Sequence, residues 1–149
     1  MISGIILCAH LQLCNLAKEL LPGQSQIQFR TVMPQNTDPH EFDPGPQFIK
    51  EMVSAPIFLA MPDNYFPWIQ SIIKMRKQSQ KTFSPQISNK FLATYKTNNK
   101  EALAHFWLYP HIHCEVKKQM ANFLNVNSPN CASRNELEQQ LLRLKKYYF

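Results

Sequence analysis

The chain has 149 residues, 44% of them hydrophobic, and a net charge of +6. That length buries about 68–70% of the surface an unfolded chain exposes, so the composition describes one globular domain with a real core and excludes a disordered tail. Three glycines are too few for a glycine-rich phosphate cradle.

Ile2 to Leu7 is a short apolar run and reads as a buried strand. The start lacks a basic leader region, and His10 and Gln12 interrupt it, so it makes a poor signal peptide. A lipoprotein reading of "IILC" fails because a small residue should precede the cysteine. A folded N-terminus is expected. His10 itself reads as a satisfied histidine following the first strand. "LQLCNLAKELL" (11–21) puts Leu13, Leu16, Ala17, Leu20 and Leu21 on one helical face, and Pro22-Gly23 stops it. "SQIQFRTVM" (25–33) alternates as a strand does.

The next stretch, "TDPHEFDPGP" (37–46), holds His40 between prolines and acids, and Pro46 suits the first turn of a helix carrying Phe48, Ile49, Met52 and Val53 inward. "APIFLAM" (55–61) is a second buried strand, and "NYFPWIQSIIK" (64–74) a helix with Phe66, Ile69, Ile72 and Ile73 as its stripe. Residues 75–100 are polar, with one short strand near Thr82-Phe83. "HFWLYP" (105–110) ends a loop, and Pro110 opens a helix carrying Ile112, Val116, Met120, Phe123 and Leu124. Ser128-Pro129 has the form of an N-cap followed by proline, opening a last helix to the C-terminus.

Strands alternating with helices imply an α/β fold: a mainly parallel sheet of about four strands with helices on both faces. Ligands of such sheets sit outside the carboxyl ends of the strands, and both His40 and His105 fall in loops of this kind. No run has the about 20 apolar residues of a membrane-spanning helix. Cys8, Cys14, Cys114 and Cys131 form no C-x-x-C pair, and their spacing leaves the redox state open.

"PQNTDPHEFDPGPQFIKEMVSAPIFLAMPDNYFPWIQSI" followed by "HFWLYP" resembles the metal-binding solute receptors of bacterial ABC transporters, the zinc/manganese cluster, in which D-P-H-x-[FY]-x-P-x-P precedes a helix and H-x-W-L-[DSN]-P opens another. The resemblance covers nearly the whole chain. It implies that residues 1–127 are the N-terminal lobe of a two-lobed receptor and 128–149 the start of the connecting helix, with the second lobe absent. It places His40 and His105 as metal ligands, while Trp68 and Trp107 match signature tryptophans that pack. Tyr109 departs from the signature: it cannot cap the helix it precedes, at a cost of about 0.5–2 kcal/mol.

A ligand must be presented as neutral imidazole in a fixed orientation, and the prolines around His40 lower the cost of ordering it. Asp38, Glu41 and Asp43 could accept a bond from its other ring nitrogen, and Glu41 or Asp38 could serve as a third ligand. The implied ligand is zinc, with manganese the alternative, because imidazole suits zinc better. The implied partner is a membrane permease, the implied compartment the periplasm, and zinc could promote a dimer across the exposed cleft. No nucleic-acid partner is expected, and with no motif placing a general base the chain is not expected to be an enzyme.

Two alternatives stand beside this reading. One is a truncated or decayed receptor that folds but no longer transports. The other is a small basic protein binding nucleic acid through "KMRKQSQK" (74–81) and "LRLKK" (142–146), groups that otherwise read as solvated faces. "HIHC" (111–114) could chelate zinc adventitiously, although its two histidines point in different directions.

Overall fold

A computed structural model describes residues 4–38, 41–62, 66–94 and 105–131. In chain order the elements are β1 (Gly4–Cys8), α1 (Leu11–Leu20), β2 (Ile27–Thr31), α2 (Pro46–Ser54), β3 (Ile57–Leu59), α3 (Pro67–Met75), β4 (Lys81–Phe83), α4 (Asn89–Thr94), a 3-10 turn (Phe106–Leu108) and α5 (Pro110–Leu124). The strands form one four-stranded sheet of order β2-β1-β3-β4. Every pairing is parallel, with Ile6 beside both Phe29 and Ile57 and Phe58 beside Thr82. The α/β fold expected from the sequence is the fold observed.

Burial explains the strand order. Ile6, Leu7, Cys8 and Ala9 are all inaccessible to solvent or nearly so, as a central strand covered on both faces requires. Along β2 only Ile27 is buried and Gln28 and Arg30 are exposed, so the strand that alternates lies at an edge. From β1 the chain steps one way to β2, then returns across β1 to β3 and β4. Right-handed crossovers therefore put α1 on one face and α2 and α3 on the other. Consistently, α2 packs on α3, and α5 packs beside α1, where Lys117 Nζ meets Glu19 Oε2 at 2.7 Å.

Helix ends follow local chemistry. Gly23, with φ +73, turns the chain after α1. Asn125 (φ 56) closes α5 in the left-handed conformation, with the Val126 N–H returning to the Ala121 carbonyl at 3.0 Å. Tyr109 makes no side-chain cap bond at the start of α5, as its chemistry dictates. Two disulfides, Cys8–Cys14 and Cys114–Cys131, account for all four cysteines.

Two expectations meet a difference. The polar stretch holds the short helix α4, which the sequence reading did not anticipate; the Ser88 hydroxyl accepts from the Phe91 N–H at 3.1 Å, an N-cap, and Leu92 is its buried anchor. The last expected helix does not begin at Pro129, since residues 126–131 have no regular structure, and positions 132–149 lie outside the described residues.

Candidate metal centre

The sheet order reverses between β1 and β3, and at such a switch point loops part to leave a crevice at the carboxyl ends of the strands. β1 leads there through Ala9 to His10. His10 is the N-cap of α1: its Nδ1 accepts the Gln12 N–H at 3.2 Å. The Cys8–Cys14 disulfide bridges the strand end and the helix start on either side of it. An acceptor at Nδ1 leaves the proton of the neutral ring on Nε2. Burial pushes the His10 pKa below the ordinary histidine value, and the nearby His105 lowers it further, so the ring is neutral at pH 7.

The His10 ring lies flat on Trp107, centroids 4.7 Å apart and planes within 8°. Trp107 in turn meets His105 edge-on at 5.5 Å. The turn that carries both is seated by Phe106, which is fully buried, and by the Leu108 N–H bonding the His105 carbonyl at 2.9 Å. Through Trp107, His105 is joined to the residue that follows the end of β1.

His10 also borders a cavity together with the segment that leads to the first signature. A cavity of about 340 Å³ is lined by His10, Leu11 and Gln12 on one wall and by Met33 to Thr37 on the other. The Glu41 N–H bonds the Asp38 carbonyl at 3.1 Å, and Phe42 packs on Trp68 (5.9 Å) and Phe48 (6.2 Å). Asp38, Glu41 and Asp43 are exposed. His40 itself lies outside the described residues.

The "HIHC" alternative loses its thiolate, because Cys114 is bonded to Cys131. Its histidines also part: His113 stacks on Phe106 at 5.9 Å, and His111 faces Phe91 and Tyr109. Among the described residues no three of His, Cys, Asp and Glu come together as a ligand set.

The family model described as "Zinc-uptake complex component A periplasmic", ZnuA, matches residues 6–145. This chain belongs to the ZnuA family. The ZnuA-like domain of Streptococcus pneumoniae AdcA, solved in its Zn(II)-bound form, is similar to it with a TM-score of 0.64 and 15% identity, over 82% of this chain and 43% of that one. The metal-dependent lipoprotein YcdH of Bacillus subtilis gives 0.60 and 17%, over 83% and 44%, and a structure of ZnuA gives 0.56 and 17%, over 83% and 46%. At such identities these likenesses speak for the fold. The chain spans less than half the length of these solved structures. Among curated proteins none matches the sequence.

His10 is the residue that sequence reasoning set aside. One signal was available: it is the first polar side chain after the central strand of a parallel sheet, where ligands gather. Its partner Trp107 lies far along the chain, and no spacing rule brings the two together.

Proposed function

We propose that this ZnuA-family chain is the N-terminal lobe of a solute receptor that captures zinc as cargo through His40 and His105, for delivery to an ABC permease. It performs no chemistry on the ion. One observation carries the reading: His10, at the switch point of the sheet, adjoins both signature arms, touching Trp107 beside His105 and lining one cavity with the Met33 to Thr37 segment that leads to His40. A pair of histidines meeting there would offer two imidazoles to one ion.

The donor set favours zinc over manganese, which prefers oxygen. Water, or a carboxylate from Asp38 or Glu41, completes the shell, and Asp43 adds negative potential near an incoming cation. Two disulfides suit an oxidising compartment such as the periplasm. Thermal unfolding with and without zinc tests the proposal. Zinc should raise the midpoint, by the linkage of a ligand that binds only the folded chain, and His40→Ala and His105→Ala should each remove the rise. A rise that survives both substitutions overturns it.

A further inference from the structure

The cap, the stack and the edge contact form one chain of support. The Gln12 N–H fixes the His10 ring by its Nδ1, the ring lies flat on Trp107, and the edge contact of Trp107 bears on His105. His10 itself is poorly set up to ligate. A metal bound at its Nε2 would need the proton moved to Nδ1, where the Gln12 N–H already points. What the ring presents to Trp107 is its face.

We propose that His10 is a positioning residue of the metal site: a ring tied to the start of α1 that holds Trp107, and through it the imidazole of His105, in the orientation that binds zinc. This rests on the reading of His105 as a ligand. The logic is that of other ligand-orienting contacts, whose loss costs about 10–100-fold in metal affinity although they never touch the ion. Here the support is a stacked aromatic pair instead of a hydrogen bond, and it is pinned further by the Cys8–Cys14 bridge.

The two functions of the ring can be separated. His10→Asn keeps a good helix cap and removes the stack, whereas His10→Phe keeps a flat ring on Trp107 and removes the cap. Calorimetric titration of Zn²⁺ into the full chain, with folding verified by thermal unfolding, gives the comparison. H10N should weaken zinc by about 10–100-fold, and H10F should bind close to the original chain. His10→Ser, which also caps, takes the place of H10N if that variant does not fold. H105A in the same titration tests the underlying reading: unchanged binding there removes the ligand assignment, whatever His10 does. If H105A abolishes binding while H10N binds like the original chain, positioning by His10 is overturned and the ligand assignment stands. If H10F is as weak as H10N, positioning by the ring face is overturned, and a nitrogen of His10 is what the site needs.

Discussion

His10 and Trp107 lie face to face, their ring centroids 4.7 Å apart and their planes within 8°. The contact joins the end of the central strand to the 3-10 turn before α5, two segments from opposite ends of the described chain. Aromatic pairs of this kind contribute about 0.5–1.5 kcal/mol beyond the area they bury. Trp107→Leu keeps an apolar side chain and loses the pair, so it should lower unfolding stability by about 1–2 kcal/mol in a urea titration. A variant as stable as the original chain would show that the stack adds nothing.

His113 predicts an acid-sensitive stability. Burial against Phe106 lowers its pKa, the Glu19 carboxylate opposes that, and Lys117 adds to it. The folded chain therefore binds fewer protons here than the unfolded one. Its contribution is fully present above the unfolded value of about 6.5 and is lost as pH falls through the lower folded value. His113→Phe should flatten the dependence of the thermal midpoint on pH below about 6.5. An acid limb unchanged by the substitution would remove His113 as its source.

The Cys114–Cys131 disulfide ties α5 to the irregular segment after it across 17 positions. A loop of that size corresponds to about 3 kcal/mol in the chain-entropy account. Replacing both cysteines by serine should lower the midpoint by about 6–12 °C for a chain of this length. Cys8–Cys14 spans only 6 positions, so its removal should cost less, and a larger loss there would reverse the ranking.

Arg76, just past α3, joins three elements. Its guanidinium donates to the Met52 carbonyl, to the Lys81 carbonyl at 2.9 Å and to the Thr82 hydroxyl at 2.7 Å, and it lies over the Phe58 ring at 5.4 Å. A lysine cannot serve those acceptors as one planar fork. Arg76→Lys should cost about 2–3 kcal/mol in chemical denaturation without altering zinc binding. A cost below the error of the titration would mean that the fork is dispensable.

The sheet was legible because its inner strands are continuous apolar runs: Ile6 to Ala9 and Phe58 to Met61 are buried throughout, and such runs between helical stripes leave few topologies. Three of the four principal helical stripes buried most of their expected residues, whereas on α2 only Met52 is fully buried, with Phe48, Ile49 and Val53 packed at its margin. α4 was illegible because a helix of 6 residues with one buried anchor has no period to detect. The cysteine pairing was equally closed to reading, since four cysteines allow three pairings and only the folded chain brings partners together. At the candidate site the two signature histidines were legible as motifs. The contact of His10 with Trp107 was not, because it joins loops that the sequence keeps far apart.

X-ray absorption at the zinc edge tests the central claim most directly, because it counts imidazoles around the ion. With zinc bound to the full chain, the account predicts two imidazole nitrogens at about 2.0–2.1 Å, oxygen in the remaining positions and no sulfur. Neither His40→Ala nor His105→Ala should hold zinc with two imidazoles: the ion is lost, or at the high concentrations of the measurement only one imidazole remains. A sulfur in the shell, or an imidazole count unchanged by both substitutions, would contradict it.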